Sequence, residues 1–406
     1  EFIAAIEDAA GRSLTAWSAA WLQTAGADRI GLEGDALTRV APEAHPADRA
    51  HTLDVAAFVG GREVARVELV VDGERTPVPG LADVPAGALI VPNASDLTWA
   101  EVALDAATID GLPGNLADVP DASARSVLWV SLLGSVARGE VDPRTVLSVF
   151  VAAWPREDSA AVLSRVSLLM TNQVVPLFLP PGEQEGARAR VADAADALLE
   201  RSAGVEGVSG DALAVLAARV WARTGVDEDR LRRWAAGDGI PEVLVGDDDF
   251  RWSVLRRLAT FGVLGDDEIA AAEAADRSLA GSLAALGVRA VRPTAQAKEW
   301  AWGRLRDDAD LSNYAALAIA GGFWTAPDAA LVRPYVAQVG DLLVGLSGRM
   351  GDDAVSRVVS AMHPTSLVED GTLEASAAML ARADLTPGVR RALVDANHEL
   401  REALAS

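Results

Sequence analysis

The hydrophobic period of this sequence changes once along the chain, and that change constrains the fold more than any other feature. From about residue 28 to residue 105, short runs alternate apolar and polar residues, as half-buried strands do. Beyond Pro120, apolar residues recur at the i, i+3, i+4 spacing of amphipathic helices. This order predicts a small antiparallel β-sandwich followed by a large all-α superhelical domain, with the boundary between residues 108 and 122.

The β-patterned region contains short apolar runs bounded by glycine and proline. We predict strands at Leu53 with Val55, Val64–Asp72, Ala88–Val91 and Thr98–Leu104. Asp72-Gly73 has the composition of a hairpin turn. Gly111–Pro120 is predicted to be the loop that ends the β region. Several short strands at this spacing are typical of a sandwich.

The rest of the chain is predicted to be helical. The predicted helices are Ala122–Arg138, one opening at Asp142-Pro143, Ser159–Asn172, Gly186–Ser202, Asp211–Arg223, Asp227–Ala236, Asp249–Phe261, Asp266–Ser278, Thr294–Arg306, Leu311–Ala320, Pro327–Gly345, Asp353–Met362 and Pro387–Leu404. Val291-Arg292-Pro293 recurs as Val332-Arg333-Pro334, at a separation typical of HEAT-like units. Such helices stack into an α-solenoid or a closed superhelix of HEAT or armadillo type.

The pattern divides the chain into three parts: residues 1–26, 27–118 and 119–406. A helical stripe that includes Phe2 and Ile6 is already under way at the first residue. We therefore expect residues 1–26 to be the helical tail of a domain that has been cut away, with Phe2 and Ile6 left bare. A second stripe, which contains Trp17 and Trp21, is expected to pack against the sandwich.

Composition excludes several classes of function. The chain has 36 basic and 59 acidic residues, a net charge of −23, and no basic block, so we expect no nucleic-acid partner. No uninterrupted apolar run reaches the ~18 residues of a membrane span. Cysteine is absent, which is compatible with the cytoplasmic location that we expect. The acidic excess is interpreted as a solvated surface; the alternative is an acidic inner surface that favours positively charged ligands.

The four histidines do not form a zinc-peptidase motif. His398 is followed by Glu399, but Glu402 stands where a second histidine four residues on would be needed. His398 with Glu402 is a conceivable metal pair, and a surface helical pair is the favoured interpretation. His45 and His51, near Glu43 and Asp48, are interpreted as solvated imidazoles in a polar loop rather than as ligands. His363 precedes Pro364 and suggests no site.

Other chemical motifs are also missing or have structural explanations. There is no G-x-S-x-G elbow, and Lys298, the only lysine, is not part of a P-loop. The triplet Asp247-Asp248-Asp249 precedes a helical pattern and is interpreted as helix capping. Trp300, Trp302 and Trp324 could stack on a ligand, but their helical spacing favours the core. We therefore predict no catalytic, cofactor-binding or metal-binding residue in this chain.

Three groups of motifs carry a resemblance to a known family. The first group is Gly11-Arg12-Ser13-Leu14, Trp17 and Trp21-Leu22-Gln23-Thr24-Ala25-Gly26; the second is Asn93, Asp96-Leu97-Thr98-Trp99 and Leu104-Asp105. The third is Phe250-Arg251-Trp252 with Leu255 and Arg257, Arg292-Pro293-Thr294-Ala295 with Lys298 and Trp300, and Leu311-Ser312-Asn313 leading to Gly322-Phe323-Trp324. In this order they resemble the C-terminal regions of actinobacterial aminopeptidase N.

The resemblance implies a parent enzyme that removes N-terminal residues from peptides. Its catalytic domain would hold one zinc through H-E-x-x-H and a downstream glutamate, neither of which belongs to this chain. The partners implied are that N-terminal catalytic domain and the peptide substrate, and the helical domain would cap the active site. The alternative is a free-standing helical-repeat interaction scaffold with a β-sandwich adaptor, which needs no lost domain.

Overall fold

A computed structural model describes residues 2–406 of the chain, which form two compact units. One unit runs to Val136 and includes Ser148–Val166, and the other comprises Ala137–Leu147 and Ser167–Ser406. The first contains the strands and the second contains most of the helices. The predicted order of a small β region followed by an all-α region is confirmed, and the three-part domain division stays a prediction.

The first unit opens with two short helices and continues as two small sheets. The helices are α1 (Phe2–Ala10) and α2 (Thr15–Leu22); the strands are β1 (Asp28–Glu33), β2 (Ala36–Val40), β3 (His51–Val59), β4 (Arg62–Val71), β5 (Arg75–Pro77), β6 (Leu89–Pro92) and β7 (Ala100–Val102). The sheet orders are β5-β2-β1-β7 and β4-β3-β6. Pairing is antiparallel except between β1 and β7.

The core of this unit is apolar and collects side chains from both sheets. Ile30 and Leu37 come from the first sheet and Leu53 and Val71 from the second, and all four are fully buried. Burial of such side chains stabilises each by about 1.5–3 kcal/mol relative to exposure. The alternating pattern read from the sequence therefore corresponds to the inner faces of two sheets.

The hairpin predicted at Asp72-Gly73 is wrong. The chain leaves β4 there and enters β5, which pairs with β2 in the other sheet. The hairpin that closes on β4 lies instead at Gly60-Gly61, between β3 and β4. Both glycines have positive φ, 52° and 72°, as the two central residues of a type I′ hairpin turn require. An aspartate–glycine pair therefore ends a strand here without folding the chain back on it.

The loop predicted at residues 111–120 is also wrong, because most of it is helical. Helix α3 (Ala106–Asn115) and a 3-10 turn at Leu116–Asp118 occupy it. Asp105 caps α3, accepting a hydrogen bond of 3.0 Å from the Thr108 amide. Leu112 is fully buried, and this burial outweighs the poor helix propensity of Pro113 and its glycine neighbours. The change from strand to helix falls at residues 103–105, before the predicted window.

The helices that follow are more numerous than predicted. They are α4 (Ala122–Ala137), α5 (Pro143–Ala153), α6 (Ala160–Leu169), α7 (Pro181–Ser202), α8 (Val208–Thr224), α9 (Glu228–Ala235), α10 (Asp248–Thr260), α11 (Asp266–Ala275), α12 (Leu279–Val291), α13 (Ala295–Asp307), α14 (Asn313–Phe323), α15 (Val339–Ser347), α16 (Asp352–Met362), α17 (Asp370–Leu380) and α18 (Pro387–Ala405). The helices α12 and α17 were missed. A π-helix, Met170–Phe178, continues α6.

The helical unit forms a closed ring of packed helices. The series α7, α8, α10, α12, α14, α16 and α18 packs each member on the next, and the π-helix contacts both α18 and α7. Helices α9, α11, α13, α15 and α17 pack on this series as a second layer. Within the described residues, the helices of the second layer pack little on one another, and only α13 and α15 make substantial contact. We call the tightly packed series the inner layer, because the elements of a curved stack approach most closely on its inner side.

Two segments of the chain are apolar and long enough to cross a bilayer by length and composition. They are Ala160–Phe178 and Ala329–Ser347, each 19 residues. Neither is a continuous α-helix, since the first becomes the π-helix and the second begins with two 3-10 turns. Met170, Val339 and Leu343 within them are fully buried. Core helices pass the same test, so the two segments are weak grounds for a membrane span.

Candidate functional site

The interpretation of His51 as a solvated loop residue is wrong. His51 opens β3, and its side chain is fully buried. Its Nε2 lies 3.1 Å from Oδ2 of Asp28, and its Nδ1 lies 2.8 Å from Oγ1 of Thr98. Burial lowers the pKa of His51, and the hydrogen bond with Asp28 opposes that shift without reversing it. His45, by contrast, is exposed as predicted.

Asp28 is the centre of this buried polar cluster. It is fully buried, accepts a hydrogen bond of 2.9 Å from Arg39, and forms an ion pair with the buried Arg49. Burial alone would raise the pKa of Asp28, but hydrogen bonds from His51, Arg49 and Arg39 lower it below its ordinary value. The carboxylate is thus held ionised inside the protein. The buried Arg49 depends on this one carboxylate for charge compensation, whereas the partly buried Arg39 also pairs with the exposed Asp48 at 3.3 Å.

The same cluster attaches the opening helices to the sandwich. Arg49 Nε donates 2.9 Å to the carbonyl of Ala20, and its Nη2 donates 2.6 Å to Thr24 Oγ1. The Trp21 ring meets that of His51 edge to face, with 5.1 Å between ring centroids. Trp21 therefore packs on the sandwich as predicted, whereas Trp17 stays 44% exposed.

Helix α1 presents the bare surface that the sequence predicted. Phe2 is 75% exposed and Ile6 36% exposed, and α1 has no buried residue among those described. An amphipathic helix gains most of its stability from packing its apolar face. Residues of α1 therefore lack, within the described chain, the apolar partner that such a helix needs.

A braced loop displays two further large apolar side chains beside this cluster. Asn93 and Asp96 adopt left-handed backbone conformations with φ of 55° and 53°. The buried Asn93 side chain accepts a bond of 2.9 Å from the Leu97 amide and donates one of 2.9 Å to the Thr98 carbonyl. Leu97 and Trp99 nevertheless remain 55% and 61% exposed. A rigid loop that exposes apolar groups is typical of an interaction surface.

Lys298 is a buried cation in the helical unit. Its Nζ donates to the carbonyls of Ala290, Gly322 and Thr325 at 2.8, 3.2 and 2.8 Å. Burial, with a smaller contribution from the charge of Arg256, lowers the pKa of Lys298 to about 7. The ammonium group thus binds main-chain oxygens near the C-terminal ends of α12 and α14, where helix dipoles favour positive charge.

A second buried histidine lies among α16, α17 and α18. His363 Nε2 lies 2.8 Å from Ser376 Oγ, and its Nδ1 lies 2.8 Å from Thr365 Oγ1. Ser376 Oγ also accepts a bond of 2.8 Å from Asn397 Nδ2. Burial lowers the pKa of His363 to about 4, which keeps the ring neutral. Ser376 is fully buried, so the group is a structural network.

The remaining residues singled out from the sequence have structural roles. His398 and Glu402 form a surface i, i+4 pair at 3.2 Å, as favoured. Asp247 caps α10 through the Phe250 amide at 2.8 Å, which confirms the capping interpretation of the acidic triplet. Trp302 and Trp324 belong to the core of the helical unit, and Trp300 packs against it.

None of the described residues forms a group of three or more His, Cys, Asp and Glu side chains that could hold a metal ion. A zinc ion of the kind implied by the resemblance has no ligand set in this part of the chain. The prediction that the chain has no catalytic, cofactor-binding or metal-binding residue stays a prediction.

The sequence alone did not reveal the buried clusters around Asp28 and Lys298. A signal was nevertheless present in each case. His51 lies two residues before Leu53, in phase with the alternating apolar residues of the strand, where an exposed loop residue is less expected. Lys298 is the only lysine in the chain, which otherwise uses arginine as its cation. A small ammonium group fits between three carbonyls where the wider guanidinium group would not.

The chain is similar to a known protein family and to a known enzyme. Residues 89–402 match the family described as the ERAP1-like C-terminal domain. An aminopeptidase N of Streptomyces lividans is 28% identical over 426 aligned residues, which cover 100% of this chain and 49% of that protein. The chain therefore spans about half the length of the curated relative it matches. The resemblance drawn from the sequence motifs is confirmed.

Proposed function

The chain belongs to the family of ERAP1-like C-terminal domains, and from this membership we propose that it is the non-catalytic C-terminal portion of a zinc-dependent aminopeptidase. The observation that carries the proposal is the alignment of the whole chain with half of an aminopeptidase N. In this proposal the zinc, its ligands and the general base belong to the other half. The present chain supplies the β-sandwich and the helical ring.

We propose that the helical ring caps the active site of the parent enzyme and controls which peptides reach it. Support comes from the closed inner layer of helices, in which each member of the series from α7 to α18 packs on the next. A ring of packed helices presents a curved surface to whatever faces it. Restriction by shape would then select peptides by length and flexibility before any bond is broken.

The N-terminal catalytic domain is the proposed partner of the opening helices. The bare face of α1, which includes Phe2 and Ile6, supports this assignment, as does the exposed pair Leu97 and Trp99 on the neighbouring braced loop. A cytoplasmic location belongs to the same proposal and is supported by a sequence without cysteine.

The test of the gatekeeping role uses the longer parent protein, with and without residues 119–406. Both forms are assayed on peptides of graded length, and a single amino-acid anilide reports whether the shortened enzyme is folded and active. We expect the shortened form to keep anilide hydrolysis and to lose discrimination by peptide length. Equal length preferences in two active forms would show that the ring is not a gate. A chain that associates with no peptidase half would favour the scaffold alternative.

A further inference from the structure

The strand β4 forms a free edge of its sheet. It is the outermost strand in the order β4-β3-β6, and β3 is the only strand that pairs with it within the described residues. The main-chain groups of residues 62–71 make no hydrogen bond to any element other than β3 in that part of the chain. The strand is 10 residues long and contains no proline. A long edge strand with unpaired main-chain groups is a template for pairing with another strand.

Apolar side chains along this edge are incompletely covered. Val67 and Leu69 pack against the core of the sandwich and remain partly exposed. Val64, which a β-bulge leaves without a partner in β3, is 45% exposed, and Val70 is 52% exposed. A strand added beside β4 would cover these side chains, which the rest of the described chain leaves open to solvent.

A small apolar recess lies beside the same edge. Ala65 and Val67 of β4 line it together with Val78, Leu81 and Val84, from the segment that follows β5. Ala65 is the smallest side chain that β4 contributes, so space remains at its position for a larger group. An apolar side chain that reached this recess would gain dispersion contacts that Ala65 does not make.

A second copy of β4 can meet this edge through a two-fold axis perpendicular to the sheet. Such an axis pairs the strands antiparallel and keeps each side chain on its own face, so the axis passes through a pair of identical residues. With Arg66 on the axis, two guanidinium groups stand opposite each other, and with Glu68 on it, two carboxylates do. Like charges directly opposite destabilise a strand pair. With Val67 on the axis, Arg66 of each copy stands opposite Glu68 of the other.

The two charged residues are suited to fixing this register. Three carboxylates of its own chain hold Arg66 in place: Asp54, Glu63 and Asp121. The Arg66 side chain therefore cannot turn away from a like charge. Glu68 is exposed and has no ion pair within the described residues. Because the three carboxylates already share the charge of Arg66, the pairing with Glu68 selects the register more than it adds affinity.

The apolar residues agree with the same register. With Val67 on the axis, Leu69 of each copy stands opposite Ala65 of the other, where the recess offers room for the longer side chain. Val64 of each copy stands opposite Val70, so these two exposed valines cover each other. Size, polarity and charge are therefore all satisfied by one register.

We propose that β4 pairs antiparallel with β4 of a second copy of this chain, with Val67 on the two-fold axis. The two sandwiches then share one continuous sheet of order β6-β3-β4-β4-β3-β6, and residues 64–70 of each copy make the contact. The inference rests on the edge of β4 and does not depend on the proposed peptidase function.

Single cysteines test the register, because the chain contains none of its own. In the proposed dimer the Cα atoms of the two Val67 residues lie about 4.5–5.5 Å apart, within the range that a disulfide spans. Val67→Cys should therefore form a covalent dimer when oxidised glutathione is the oxidant. Glu68→Cys is the control: it is more exposed, but the two copies of residue 68 are offset along the strands and lie beyond disulfide range.

Sedimentation measures the non-covalent dimer in a chain that also carries Phe2→Ser and Ile6→Ser, so that association through α1 does not contribute. Val70→Glu places a charge opposite Val64 of the other copy, and we expect it to raise the dissociation constant at least about tenfold. Val40→Glu makes the same change at a valine of β2 that is 60% exposed, and it should leave the dissociation constant unchanged. Urea unfolding checks that both variants are folded.

Three results would each overturn the proposal. The first is a chain that stays monomeric at millimolar concentration, or that dimerises equally well with and without Val70→Glu. The second is a covalent dimer that Glu68→Cys forms as readily as Val67→Cys. The third is a longer parent protein that is monomeric and shields Val70→Cys from a thiol reagent, which would assign this edge to the other half of that protein.

Discussion

Nζ of Lys298 lies 2.8 Å from the carbonyl oxygen of Ala290, in the last turn of α12. The lysine comes from α13, so one buried side chain fixes the end of one helix from another. No carboxylate among the described residues pairs with it. Peptide dipoles compensate its charge, and the Phe323 ring, whose centroid lies 5.9 Å from Nζ, adds a cation–π contact. Its protonation and the stability of the helical unit are therefore linked.

Stability should rise with pH through the range in which Lys298 loses its proton. Its pKa is about 7 in the fold and 10.5 in the unfolded chain, so above pH 7 the unfolded state binds the extra proton. The free energy of unfolding should therefore increase between pH 7 and 10, by up to about 1.4 kcal/mol per pH unit. Urea unfolding of the parent chain and of Lys298→Met measures it, and the difference isolates this residue. Parallel pH curves for the two proteins would contradict the prediction.

The second histidine should make the protein sensitive to acid. The pKa of His363 is about 4 in the fold and 6.5 in the unfolded chain, so acid protonates the unfolded state first. Stability from the neutral ring is complete above pH 6.5 and is lost as the pH falls towards 4. His363→Gln should flatten this dependence in unfolding experiments between pH 7 and 4. His45→Gln, at an exposed position, serves as the control and should leave the dependence intact.

Removal of the charge on Asp28 should destabilise the first unit strongly. Asp28→Asn leaves Arg49 buried without its carboxylate, and breaking a buried ion pair on one side costs roughly 3–5 kcal/mol. Asp35→Asn, an exposed residue 3.7 Å from Arg75, should change stability by less than about 0.5 kcal/mol. Urea denaturation of both variants provides the comparison. A loss of similar size in the two would mean that Asp28 is not central to the cluster.

The bare face of α1 should make the isolated chain self-associate. We expect light scattering to show concentration-dependent oligomers that become rarer when Phe2 and Ile6 are both changed to serine, because exposed apolar surface drives association. Val130→Ser removes a 60% exposed valine from α4 and serves as the control. A strictly monomeric chain with an unchanged profile would count against a partner for α1.

The chain should bind no stoichiometric zinc and hydrolyse no amino-acid anilide. The reason is that, within the described residues 2–406, no three or more His, Asp and Glu side chains form a group that could hold a metal ion. Metal analysis after dialysis and an anilide assay check this together. One tightly held zinc ion per chain would overturn the assignment of the metal to the other half of the parent protein.

Local signals in the sequence predicted helix starts well and long-range pairing poorly. Asp121, Asp227 and Asp247 each precede a helix that begins within one residue of its predicted start, because an N-cap acts on amides two or three residues away. The failure at Asp72-Gly73 has a different origin. A turn forms a hairpin only if the two strands that flank it pair with each other, and β5 pairs with β2 and not with β4.

Burial explains the other differences between prediction and structure. Residues 106–115 contain two glycines and a proline, and propensity alone argued for a loop, yet the buried Leu112 makes the segment helical. His51 looked solvated because its polar partners, Asp28 and Thr98, are 23 and 47 residues away in sequence. The local pattern of one sequence does not show which residues so far apart in the chain come into contact. The cluster that ties α2 to the sandwich therefore emerged only with the fold.

The contact between α18 and the π-helix has a consequence for how the helical unit unfolds. A linear array of helices has two free ends, from which it frays one repeat at a time. The contact between α18 and the π-helix removes both free ends. If two neighbouring helices separate, the remaining helices of the ring still hold them close together. Hydrogen exchange along the inner layer should then be uniform rather than graded from the termini, and the whole circle should be lost in a single step.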